Sequence, residues 1–279
     1  MTASSPLWPA QFHHFRLNSD RPEALVDFYA QGLGMTARER GDDLWLLSGA
    51  GRRFLVGRGP RESVPYAAYA LDDPARLDAL QRHLQAQDIA IEPNPSPLFG
   101  NAAFAVRDPD GLPLVFGVPA GDPVAAGGLP GRLQHIVFAT TEPERIRRFY
   151  ADQLGYAVSD KVFDDGALSA CFFRSDEEHH SYAAFRADAA RFDHVAFETT
   201  GWMDIRDWAD HFGALRVPLW WGPGRHGPGN NLFFMVRDPD GNRVEISAEL
   251  ERMPRSMPHR EWPHEAHTLN LWGQAWMRS

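Results

Sequence analysis

The chain repeats itself, and an internal repeat limits the available folds more than any composition does. His14-Phe15-Arg16-Leu17-Asn18 leads to Phe28-Tyr29-Ala30 and then Leu33-Gly34-Met35. His135-Ile136-Val137-Phe138-Ala139 leads to Phe149-Tyr150-Ala151 and then Leu154-Gly155-Tyr156, offset by 121 residues throughout. A second motif, Arg107-Asp108-Pro109-Asp110-Gly111, returns as Arg237-Asp238-Pro239-Asp240-Gly241, offset by 130. The growth of the offset marks insertions in the second copy.

Each copy reads alike. A strand with alternating apolar residues (about 12–18 and 133–139) is followed by a helix. Leu25, Phe28, Tyr29 and Leu33 in one copy answer Ile146, Phe149, Tyr150 and Leu154 in the other at i, i+3, i+4 spacing. Strands are predicted at 44–48 and 53–57, matched by 167–174 and 181–186. A further strand (66–70 and 193–198) and helix follow, with Leu77, Leu80 and Leu84 answered by Ile205, Trp208 and Phe212. A hairpin closes each copy on Asp-Pro-Asp-Gly, where Pro presets φ and Gly tolerates positive φ. The pattern predicts an α+β fold of tandem βαβββ modules, four in two domains. The stretch from Pro119 to Arg132 is rich in Gly, Ala and Pro and reads as a linker. The expected units are a first domain at 1–120, a linker at 121–132, a second domain at 133–250 and a tail at 251–279.

Composition excludes several classes. With 279 residues, 43% hydrophobic and 23% charged, the chain has enough apolar content for a core of its own. Cys171 is the single cysteine, so neither a disulfide framework nor a Cys-based zinc site is available. A net charge of −9 without a Lys/Arg block argues against nucleic acid as partner. No apolar run approaches the ~20 residues of a membrane helix, and the N-terminus lacks the features of a signal peptide. A cytoplasmic protein with no membrane partner is expected.

The second copy has what the first lacks. His135 and His194 each begin a strand, and Glu245 sits within Arg243-Val244-Glu245-Ile246. Strand alternation puts Glu245 on one face with Arg243 and Ser247, and a carboxylate within an apolar strand needs a partner. Two histidines and one carboxylate match the facial set of non-haem Fe(II) sites with open positions. In the first copy His14 matches His135, but Tyr66 stands at the place of His194 and Val115 at that of Glu245. A metal site is therefore expected in the second domain alone.

On these residues the chain resembles the vicinal oxygen chelate superfamily, and within it the two-domain type I extradiol catechol dioxygenases of glyoxalase-like fold, over about residues 10–250. The resemblance implies that His135, His194 and Glu245 hold Fe(II), with Mn(II) accepted by the same donors. Glu177-Glu178-His179-His180-Ser181 is similar to the segment carrying the family's acid/base histidine, which falls on His180. Gly222-Pro223-Gly224-Arg225-His226-Gly227 is similar to the family's Gly-Arg-His loop, which makes His226 a substrate contact. Arg225, Trp220 and Trp221 join it as expected pocket residues. Where the family usually has a Tyr facing the substrate oxygen, this chain has Met235, whose thioether donates no hydrogen bond. The implied activity is ring cleavage of a catechol-like aromatic substrate by O2. Alternatives are an oxygen-independent metal-dependent isomerase or lyase and a small-molecule binding protein.

After Arg252, residues Trp262, His264, His267, Leu271, Trp272 and Trp276 make an aromatic-rich tail, expected as a lid or a subunit interface. Arg255, Arg260 and Arg278 read as solvated surface cations, with an acidic substrate group there as the lesser alternative. Exposed sheet edges and this tail suggest a homo-oligomer.

Overall fold

The computed structural model describes residues 6–119, 121 and 128–277. Most of the expected linker, 122–127, and Arg278 lie outside the described residues.

Four βαβββ modules follow one another. The first runs β1 (Gln11–Ser19), α1 (Pro22–Gly32), β2 (Thr36–Glu39), β3 (Leu44–Gly49) and β4 (Arg52–Arg58). The second runs β5 (Ser63–Ala70), α2 (Pro74–Gln85), β6 (Glu92–Pro93), β7 (Phe104–Arg107) and β8 (Pro113–Gly117). The third has β9 (Arg132–Thr140), α3 (Pro143–Arg147), β10 (Ala157–Asp164), β11 (Ala167–Arg174) and β12 (Tyr182–Arg186). The fourth has β13 (Arg191–Thr199), α4 (Trp202–Ala214), β14 (Trp221–Arg225), β15 (Leu232–Arg237) and β16 (Arg243–Ala248). The tail adds β17 (Arg260–Pro263) and α5 (Ala266–Leu269).

One departure from simple periodicity lies after α3. The helix expected over Ile146 to Leu154 continues from Arg148 to Leu154 as a π-helix, ended by Gly155 at φ 90°. Tyr150 on this widened turn stacks on Tyr182, with ring centroids 4.0 Å apart.

The modules pair through antiparallel strands, β1 with β5 and β9 with β13. Two sheets result, in the orders β2-β3-β4-β1-β5-β8-β7-β6 and β14-β15-β16-β13-β9-β12-β11-β10-β17. One continuous apolar cluster joins them and includes Phe54 and Tyr69 from the first copy with Tyr156 and Phe197 from the second. Each fully buried side chain of this size contributes about 1.5–3 kcal/mol relative to exposure, so the two copies hold each other. Arg52, buried between them, donates to the carbonyls of Leu33 at 2.6 Å and Gly131 at 2.8 Å and faces the Trp208 ring.

Candidate metal centre

Register places the three candidate ligands together. His135 on β9 lies opposite Ala196 on β13, and Ala196 lies beside Glu245 on β16. His194 is two residues from Ala196 and so shares its face. All three side chains point into one concave surface. One ligand atom from each lies within 4.8 Å of the others. The two imidazole Nε2 atoms are 3.4 Å apart, and His194 Nε2 is 3.4 Å from Glu245 Oε2.

The outer partners show what this cluster lacks. His194 Nδ1 bonds Asp193 Oδ1 at 2.6 Å, and His135 Nδ1 bonds Gln134 Oε1. The Gln134 amide nitrogen is used on His180 O at 2.7 Å, so its oxygen is the acceptor. Both histidines therefore carry their proton on Nδ1, and both Nε2 atoms present bare lone pairs. Two lone pairs and a carboxylate converge in a buried space where no proton serves them all. A cation satisfies such a set, and nitrogen/oxygen donors of this kind suit Fe(II) or Mn(II). Burial pushes His135 down to about 3, against the attraction of Glu245.

Two more histidines stand over the cluster. The His180 ring packs on His135 with centroids 4.2 Å apart. His226 lies flat on Phe233 with centroids 3.7 Å apart, and its Nε2 is 3.9 Å from Glu245 Oε2. His226 Nδ1 bonds the carbonyl of Leu269 in the tail at 2.6 Å, which leaves Nε2 as an acceptor toward the cavity. Val137, Phe172, Phe185, Trp221, Met235 and Leu269 form the apolar walls. Met235 lies opposite Glu245 in the β15–β16 register and lines the same cavity as the candidate ligands.

The tail folds onto this site. β17 extends the sheet along β10, and Arg174 grips the carbonyls of Pro254, Arg255 and Met257. Gly227 N donates to Thr268 O at 3.0 Å, and Leu271 N to Arg225 O at 2.7 Å. The glycines of the loop make this approach feasible. A Cβ on Gly227 would sit 2.7 Å from Thr268 O, and one on Gly224 2.5 Å from Asn270 Oδ1. With the tail in place the cavity is about 30 Å³.

Two expectations need correction. Arg225 does not line the cavity. Its guanidinium is used on Asn230 O and Glu249, both at 2.6 Å, and lies over Trp272. Trp220 also points elsewhere, against Trp276 and beneath Arg237 and Arg243, whereas its neighbour Trp221, the first residue of β14, is a wall residue. In the tail, Arg260 is tied to Asp160 and Glu251, and Arg255 lies over Trp8. Neither lines the cavity.

Sequence reasoning missed Gln134, Asp193 and Asn231. The first two immediately precede the candidate ligand histidines, a signal that was available. Asn231 donates to Glu245 Oε1 at 3.3 Å from a loop and had none. In the first copy other residues stand at these places. Tyr66 and Val115 occupy the matching register beside Phe99 and Ala103 in a closed apolar cluster, and His14 is spent on Ser96 Oγ at 2.6 Å.

Comparison with known proteins bears on the family and the fold. Metapyrocatechase 2 of Cupriavidus necator is 33% identical over 135 residues, which span 48% of this chain but only 41% of that protein. Biphenyl-2,3-diol 1,2-dioxygenase of Paraburkholderia xenovorans (strain LB400) is 27% identical over 284 residues, 91% of each chain. A variant of homoprotocatechuate 2,3-dioxygenase from Brevibacterium fuscum shares the fold at TM-score 0.85 and 23% identity, covering 98% of this chain and 80% of that one. The sequence profile of the Glyoxalase/Bleomycin resistance protein/Dioxygenase superfamily matches residues 11–116 and 132–246, and the chain belongs to that superfamily.

Proposed function

We propose that this protein is a metal-dependent extradiol-type dioxygenase that opens the ring of a small, uncharged catechol with O2. The observation that carries the reading is the placement of two further histidines, His180 and His226, over a His-His-Glu cluster inside an aromatic-walled cavity. The names of the relatives point the same way.

His135, His194 and Glu245 would hold the metal, Fe(II) or Mn(II). When bound, it supplies Lewis acidity toward the diol and a route for electrons between ring and oxygen. The protein does the rest. Phe172, Phe185 and Trp221 bind the ring faces and edges. His180 takes the proton of the diol oxygen and returns it, entering as a neutral imidazole because burial holds it well below the ordinary histidine range. His226 Nε2 accepts a hydrogen bond from the second polar group, held in that role by Leu269 O. No Lys or Arg is among the described residues lining the cavity, so a carboxylated ring finds no counter-charge.

The tail acts as the cover. A cavity of about 150 Å³ holds benzene, and the space here is about 30 Å³. Substrate entry therefore requires residues around Thr268 and Leu269 to move, and their return excludes water from the reacting groups.

A second reading rests on Met235. Without a hydroxyl at that place, the site retains the metal and loses one donor to a substrate oxygen, which an oxygen-independent isomerase or lyase tolerates. Anaerobic loading with Fe(II) or Mn(II), followed by O2 uptake with a panel of catechols, decides between them. Stoichiometric uptake with a yellow product is expected from neutral catechols. Bound metal without uptake from any ring favours the second reading.

A further inference from the structure

Four histidines face the metal centre, and three have Nδ1 held by an oxygen acceptor, namely Gln134 for His135, Asp193 for His194 and the Leu269 carbonyl for His226. His180 is different. Its Nδ1 meets the Nδ1 of its neighbour His179 at 2.9 Å. His179 is fully buried, and its Nε2 bonds Asp160 Oδ2 at 2.8 Å. Asp160 is also fully buried, on β10, opposite Arg260 of the tail strand β17. Arg260 grips both of its oxygens, at 2.8 and 3.1 Å, and continues to Glu251 at 2.7 Å.

The direction of each bond follows from the end of this chain. Clamped by a guanidinium, the Asp160 carboxylate only accepts, so His179 carries a proton on Nε2. Full burial disfavours a second proton on His179, so the ring is neutral and its Nδ1 is an acceptor. The proton between the two rings then belongs to His180 Nδ1. Its Nε2 is left bare and turned to the cavity that His180 lines.

We propose that Asp160 and His179 are positioning residues that set the proton tautomer of His180, so that its Nε2 enters the reaction as a proton acceptor. This rests on the reading of His180 as the acid/base group. Arg260 gives the tail a part in the same arrangement, because the strand that brings it also extends toward the cover of the cavity.

The test is direct observation of the tautomer. In Zn(II)-loaded protein labelled with 15N-histidine, two-bond 1H–15N correlations distinguish a proton on Nδ1 from one on Nε2. Wild-type His180 is expected to show Nδ1–H with bare Nε2. In Asp160→Asn the amide oxygen faces Arg260 and its NH2 donates to His179, so the proton order reverses through both rings and His180 carries its proton on Nε2. Asp160→Glu keeps an acceptor and keeps the wild-type pattern. In the metal-loaded enzyme, Asp160→Asn is expected to lower kcat by about 10²–10⁴-fold with KM changed by no more than about two-fold. His180 found with Nε2–H in the wild type, or an Asp160→Asn protein with the wild-type pattern, overturns the proposal. The wild-type spectrum decides even if the variant fails to fold. An expected tautomer together with absent O2 uptake would instead count against the proposed function.

Discussion

Tyr29 of the first copy donates its hydroxyl to Asp238 of the second, 2.9 Å away. The reciprocal bond also exists, from Tyr150 of the second copy to Asp108 of the first at 3.2 Å. Both aspartates use their other oxygen to build the hairpin turn, accepting from the backbone at Asp110 and Leu112 or at Asp240 and Asn242. The two motifs that reveal the repeat thus bond to each other across the copies.

Removing either hydroxyl leaves a buried carboxylate short of a donor. Tyr29→Phe and Tyr150→Phe are each expected to cost about 1–3 kcal/mol, measured as a shift in the denaturation midpoint. A loss below the error of that measurement for both would show that these bonds do not hold the copies together.

The same pair predicts a pH dependence of stability. Burial pushes both Asp108 and Asp238 up to about 6, against about 3.9 in an unfolded chain. The folded protein therefore binds more protons between about pH 4 and 6, and each carboxyl lowers stability as pH rises through that window. Each contributes about 3 kcal/mol, at 1.36 kcal/mol per unit. Asp108→Asn lacks its share, so its stability relative to wild type should climb between pH 4 and 7. A flat difference across that range would contradict the assignment.

Metal retention should depend on residues that never touch the metal. Asp193→Asn exchanges the carboxylate behind His194 for an amide, and metal affinity is expected to fall about 10–100-fold. Glu245→Gln removes a ligand and should fall further. Competition with a chromophoric chelator reads both. An affinity unchanged in Asp193→Asn would mean that the His194 tautomer is set elsewhere.

Ending the chain at Pro258 deletes β17 and α5, and with them the carbonyl that orients His226. The expected result is a loss of about 10²-fold in kcat/KM while the metal is still bound. Full activity in the shortened protein would remove the tail from the catalytic unit.

Much of the site was legible because the molecule contains its own control. His14 without partners at Tyr66 and Val115, beside His135 with His194 and Glu245, isolates the ligand set by comparison within one chain. Strand alternation then fixes a common face. Arg225 and Trp220 misled because a basic and an aromatic residue next to a candidate histidine look like substrate contacts. Their actual partners, Glu249 and Trp276, lie far along the chain and are brought near only by the strands and the tail.

The duplication, the module order and the choice of the three candidate ligands are properties of the sequence, since repeats and two-residue periodicity are written along a single line. Proton positions on the histidines, the Asp160–His179–His180 chain, the crossed tyrosine–aspartate bonds and the closure of the tail were decided by tertiary structure. Each depends on a donor and an acceptor meeting within about 3 Å, and the groups that meet come from strands whose neighbours in space are not their neighbours in sequence.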